Sequence, residues 1–238
     1  MHRRSLYECR QDVMPSTWPL EPYLHENRAA VPGVRLESKG LKCNMLRKIR
    51  NECGVVLRSG REVAEPILGK RRGLTFDPEL FYTAAMFHDL GLTAGFRESR
   101  LRFEVDGANA ARDFLRSHGI SEVDIERVWL AIAVHTTPGI SAHPPPIVAL
   151  TAEGVMMDLV GLGYDEFTDA QRSAVETAYP HPPQFAEDLL QALYDGLKHR
   201  PEATQGTGLA DVMADKDPHF HRRDFCSLMQ NSRRTAGK

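Results

Sequence analysis

The sequence predicts an all-α protein with a poorly ordered N-terminal arm. Three observations predict it. No run alternates apolar and polar residues at period two, the mark of a half-buried strand. From Phe76 onward, apolar positions recur at helical spacing between capping residues, prolines and glycines. Before that point the chain is basic, broken by Pro15, Pro19, Pro22 and Pro32, and carries little sustained hydrophobic period. The division that follows is an irregular arm over residues 1–70, its first forty residues poorly ordered, and one domain over residues 71–238. Within the arm, LKCNMLRKIRNECGVVLRSGREVAEPIL has some helical character, with Met45, Ile49 and Val56 roughly on one side.

In the domain, Asp77 caps a first helix, DPELFYTAAMFHDLG, with Pro78 at its first position, Glu79 in its first turn and Gly91 closing it. A second helix runs from about Gly107 to Gly119, with Asp106 as its N-cap. Ser121 caps the third, SEVDIERVWLAIAVH. Its Glu122 and Asp124 lie near the positive end, and Val128, Ile132 and His135 fall at helical spacing before Pro138 and Gly139 stop it. Pro145 and Pro146 start the fourth, IVALTAEGVMMDLVGLG, which is apolar almost all round and therefore predicts a central buried helix. DAQRSAVETAY and QFAEDLLQALYDGLKH supply two more. After Pro201 the tail is polar, yet too apolar in places for plain disorder.

Length and composition narrow the function classes. A chain of 238 residues buries roughly 70% of its unfolded surface and needs neither disulfide nor metal merely to fold. With 42% hydrophobic and 26% charged residues it is not a disordered or fibrous protein. Lys+Arg 30 against Asp+Glu 32 leaves a net charge of -2, whereas gripping nucleic acid or an anionic membrane needs a basic excess. Cys9, Cys43, Cys53 and Cys226 form no CxxC, which fits reduced thiols. MHRRSLYECRQDV lacks the apolar core of a signal peptide, and no apolar run approaches the roughly 20 residues of a membrane span. The expectation is a soluble cytoplasmic protein with a small-molecule substrate and no nucleic-acid or membrane partner; a homo-oligomer stays open.

Four places carry candidate chemistry. His88 and Asp89 sit where an apolar helix runs into a glycine turn, and a carboxylate there needs a cation, a donor or water. Two readings are equally open on the residues alone. The pair binds a metal, or Asp89 accepts from the turn while His88 caps the last carbonyls. Asp158 interrupts the apolar VMMDLVGLG, where an Arg or a backbone donor would also satisfy it. His88, Asp89 and Asp158 together would make a nitrogen-plus-oxygen set suited to Zn²⁺, Fe²⁺ or Mn²⁺. His135, before Thr136 and Thr137, ends the VWLAIAVH helix, as a core residue or at a pocket rim. Glu104, ahead of the Asp106 cap, is harder to assign to a structural role. There is no Walker A, GxGxxG, GxSxG or HExxH, and His219 and His221 belong to a solvated tail.

In order, FDPELFYTAAMFHDLGLT, RFEVDGANAARDFL, AIAVHTTPGI and the apolar helix bearing Asp158 resemble the HD-domain superfamily over about residues 74–230, in its cyanamide hydratase-like branch. The resemblance implies an all-α helical bundle around a divalent metal, most simply zinc, with iron or manganese as alternatives. It implies His88, Asp89 and Asp158 as metal ligands, and Asp89, His135 and Glu104 as acid–base or pocket groups. The implied reaction is hydration of a nitrile, urea from cyanamide. Within the superfamily the alternative is a phosphohydrolase, with Arg97, Arg100 and Arg102 for the phosphate; outside catalysis it is a helical scaffold that has lost its metal. One departure stands out. The family's first metal-binding histidine falls, by alignment through LRS, on Val55, which has no lone pair to give.

Overall fold

The computed structural model of the chain describes residues 73–140, 145–178 and 180–232. The arm expected over residues 1–70, with Val55 and three of the four cysteines, lies outside them. Among the described residues there are eight helices and no strand: α1 Pro78–Phe87, α2 Phe103–Ser117, α3 Glu122–Ala133, α4 Pro146–Val160, α5 Asp169–Ala178, α6 Phe185–Leu197, α7 Leu209–Lys216 and α8 Phe225–Gln230. Short 3₁₀ turns at Leu90–Leu92, Ala94–Phe96, Tyr164–Glu166 and Pro201–Thr204 join them. No helix among the described residues is long and apolar enough to cross a membrane.

The cap chemistry is local, and it forms where the sequence places it. The Asp77 carboxylate accepts from the backbone N–H of Glu79 at 2.8 Å and of Leu80 at 3.3 Å, satisfying donors that the first helical turn leaves unpaired. Ser121 accepts from Asp124 N–H at 3.3 Å. Gly161 closes α4 in the left-handed conformation, φ 71°, which a glycine adopts without steric cost.

The core lies among α1–α4. Phe81, Phe87, Phe114, Leu115, Ile125, Val128, Ile132, Val148 and Leu150 are buried there, each contributing about 1.5–3 kcal/mol by leaving water. A second, smaller cluster joins Phe103, Leu197 and Met213, with Leu92, Tyr194 and Leu209 against it. Through it α6 and α7 seat themselves on the turn that follows α1. The tail after Pro201 is therefore in part a packed element, since α7 buries Ala210, Val212 and Met213.

Three boundaries depart from expectation for tertiary reasons. Helix α1 ends at Phe87, and Gly91 is no C-cap; it lies within the following 3₁₀ turn. A Cβ on Gly91 would stand 2.1 Å from the Phe103 carbonyl oxygen, so the position admits only glycine because α2 begins against it. Helix α2 starts at Phe103, a turn earlier than Gly107 suggested, and Asp106 lies inside that turn instead of capping it. Gly107 is a packing glycine: its Cβ would meet the Phe87 carbonyl oxygen at 2.4 Å. Finally, α4 is buried along its first half, from Ile147 to Val155, but its end emerges, with Val160 67% exposed. Apolarity all round located a buried helix, but not where it leaves the core.

Candidate metal centre

Two helix ends and one turn build the centre. His88 follows α1, and its Nδ1 lies 2.7 Å from the Ala85 carbonyl oxygen. His135 lies two residues beyond the end of α3, and its Nδ1 lies 2.7 Å from the Ile132 carbonyl oxygen. A carbonyl only accepts, so in both rings Nδ1 carries the hydrogen and donates it. That bond assigns the tautomer and leaves each Nε2 as the outward nitrogen. Asp89, at the head of the Leu90–Leu92 turn, places its two carboxylate oxygens between them. His88 Nε2 is 2.8 Å from Oδ2, and His135 Nε2 is 3.7 Å from Oδ1. The two rings meet edge to face at 5.1 Å between centroids, and Phe103 packs edge-on to His135 at 5.7 Å.

These three side chains are 2%, 10% and 1% exposed for His88, Asp89 and His135. One ligand atom from each lies within 4.8 Å of the others. The electrostatics follow from the donor count. Two neutral imidazoles with Nδ1 protonated would turn two lone pairs toward an anion, with no hydrogen between them, in a site shielded from water. Only a positive species among the three atoms, a proton on an Nε2 or a cation, relieves that arrangement. The donor set of two imidazole nitrogens and a carboxylate is one that holds a divalent ion. Burial by itself would raise the Asp89 carboxyl; when the positive species is a proton on Nε2, the charge of the adjacent His88 and the bonds from His135 and His88 outweigh it and hold the group below the usual carboxylate range.

The remaining candidates have contacts of their own. Asp158 is not among the three grouped residues. Its carboxylate, 7% exposed near the emerging end of α4, lies 3.4 Å from His181 Nε2, and the His181 ring stacks on Phe185 at 4.0 Å. The acid in the apolar helix thus has a histidine partner in the connection between α5 and α6. Glu104 is 1% exposed and accepts from Arg102 Nη2 at 2.5 Å and from the Thr136 hydroxyl. It ties the start of α2 to the residue after His135 and is not among the three grouped residues. Arg97 and Arg100 are exposed, the latter donating to the His199 carbonyl at 2.7 Å. Asp106 pairs with Arg200, a residue the sequence offered no reason to single out.

A cleft of about 500 Å³ opens beside Arg102 and Thr136, with Thr137, Gln205, Arg222 and Arg223 among its walls. Arg222 and Arg223 are each already paired, with Asp211 and Glu202.

His135 enters the centre as a third donor, where the sequence offered a pocket residue. A signal for this existed. AMFH and IAVH both place a histidine directly after an apolar run that ends a helix, so each ring can return Nδ1 to the carbonyl three residues before it. A model of the HD domain matches residues 56–174, half of the chain, and spans all three residues of the centre. The match begins directly after Val55. Among curated proteins no match is found.

Proposed function

The chain belongs to the HD-domain family, and on that premise we propose that it is a metal-dependent enzyme that adds water to a small substrate, cyanamide hydratase-like in its reaction. One observation carries the reading: two Nε2 atoms face the two oxygens of one buried carboxylate, an arrangement that only a positive species relieves. HD domains bind divalent metals, and His88, Asp89 and His135 would hold one here, with zinc first and iron or manganese as alternatives for this mixed donor set. When bound, such an ion supplies Lewis acidity and lowers the pKa of water.

The protein's own groups do the rest. His88 and His135, locked by their Nδ1–H bonds, keep both Nε2 atoms oriented without further rearrangement. Asp89 Oδ1, 3.7 Å from His135, is the less engaged of the two carboxylate oxygens. It is therefore the oxygen that would accept a hydrogen bond from the attacking water and orient it toward the nitrile carbon. Water's oxygen ends on the nitrile carbon and its hydrogens on oxygen and nitrogen; tautomerisation gives urea from cyanamide, with no redox partner. The low exposure of the centre, with Phe103 against His135, excludes bulk water and favours a substrate of a few atoms.

The cleft supports a second reading. A volume of about 500 Å³ suits a nucleotide-sized ligand, and Arg102, Arg222 and Arg223 suit a phosphomonoester. Their pairing with Glu104, Asp211 and Glu202 offsets much of that charge, which keeps hydration first. The deciding experiment is elemental analysis of the purified protein, with urea release from cyanamide and phosphate release from nucleoside monophosphates assayed side by side. A stoichiometric metal with urea release supports hydration; a metal with phosphate release alone transfers the function to the second reading. Absence of both metal and turnover, after supplying zinc, iron and manganese, overturns the enzyme reading in favour of a scaffold.

A further inference from the structure

Arg200 lies 26 positions beyond the last residue matched by the family, at the head of the Pro201–Thr204 turn, and is 2% exposed. Its Nη2 donates to the carbonyl oxygen of Gly91, in the turn that Asp89 heads. Its Nη1 donates to the Leu101 carbonyl at 3.0 Å and to the Asp106 carboxylate. The other oxygen of Asp106 accepts from the Ser99 hydroxyl at 2.9 Å. One guanidinium therefore grips both sides of the centre. On one side is the turn carrying Asp89. On the other is the first turn of α2, whose Phe103 packs against His135.

Stability alone gives little reason for this group. A buried ion pair roughly breaks even with well-packed apolar residues of the same volume, and the Arg200 Nε finds no acceptor. A planar fork with fixed donor directions does something an apolar contact cannot: it sets the separation and orientation of the groups it bridges. Gly91 sits only two residues from Asp89, and the turn between them is short, closed by Leu92 N–H to Asp89 O at 3.0 Å. A shift of the Gly91 carbonyl is carried to the carboxylate with little slack.

We propose that Arg200 is a positioning residue for the metal centre, through which the C-terminal segment outside the family match holds Asp89 in register with His88 and His135. It rests on the reading of those three residues as metal ligands.

The test compares three full-length variants: Arg200→Met/Asp106→Leu, which removes both buried charges together; Arg200→Lys, which keeps the charge but loses the fork; and Ile125→Ala, a cavity in α3 away from the clamp. Two quantities are read, the Co²⁺ dissociation constant and the ring-nitrogen resonances of His88 and His135 in metal-free protein. The double variant is expected to fold, to bind Co²⁺ roughly 10–100-fold more weakly, as loss of outer support to a metal ligand does, and to shift both rings. Arg200→Lys is expected to fall between it and the parent, and Ile125→Ala to lower the melting temperature without moving either quantity. A folded double variant with the parent's dissociation constant and unmoved rings overturns the proposal, and so does an equal weakening in Ile125→Ala. If the double variant does not fold, Arg200→Lys decides by the same two quantities. If the parent takes up no metal, the metal reading fails by itself; the ring resonances of the metal-free variants still decide whether Arg200 positions the centre.

Discussion

At His88 and His135 the same arrangement is built twice, a histidine at the end of a helix returning Nδ1–H to the carbonyl three residues earlier at 2.7 Å. The bond costs the ring one nitrogen and commits the other to Asp89. His135→Ala is therefore expected to weaken metal binding by more than the roughly 10–100-fold that outer-shell changes produce. Asp158→Asn, whose carboxylate stands by His181, should change it by less than about tenfold, as read by competition with a chelating dye. Equal losses in the two variants would return Asp158 to the centre. Asp89 also has a pH signature. Its folded-state carboxyl lies below its ordinary value of 3.8, so its contribution to stability is complete above that value and is lost as pH falls below it, through the lower folded value. In urea denaturation of metal-free protein, the difference between parent and Asp89→Asn should shrink as pH falls below about pH 4.

Among the elements, the contact of α1 with α2 decides where the centre's first histidine stands. Gly107 lets the α2 backbone approach the end of α1, and an added Cβ there would lie 2.4 Å from the Phe87 carbonyl oxygen and 3.2 Å from that of His88. Two effects oppose each other in Gly107→Ala. Helix propensity favours alanine by about 1 kcal/mol, whereas a methyl group driven into a carbonyl forces the helices apart at a cost of about 1–3 kcal/mol. The close approach is to backbone, which cannot rotate away, so the steric cost wins. Net destabilisation is the expected result by chemical denaturation, together with weaker metal binding because the displaced carbonyls are those of Phe87, directly before His88, and of His88 itself. A neutral or stabilising Gly107→Ala would mean that the two helices are less tightly engaged than described.

For the whole molecule, the centre couples folding to metal. Its three donors come from the end of α1, the turn after it and the end of α3, so an unfolded chain does not present them together, and binding favours the folded state. At metal one hundred times above its dissociation constant the gain is about 2.7 kcal/mol. For a chain of this size that is roughly 5–11 °C in melting temperature. Scanning calorimetry with saturating zinc and then with excess chelator measures it. A melting temperature that ignores both additions would remove the metal from the account of this protein.

Helices, caps and the helical class were legible because they are local. Asp77 and Ser121 announce their helices, and apolar spacing shows which faces go inward, with no need of the rest of the chain. The His88–Asp89 pair was legible for the same reason: an apolar helix ending in a histidine and an acid leaves both at a turn. What lay beyond the sequence was pairing across distance. Asp158 and His135 each looked like a polar residue in an apolar helix, and nothing local says that one stands beside Asp89 while the other stands beside His181. The Arg200–Asp106 pair joins residues 94 positions apart, and Gly91 and Gly107 looked like a stop and a start although both exist for close packing. Backbone periodicity is set by neighbours in sequence. Which charge meets which, and how near two helices can come, is settled only when the packed core places them.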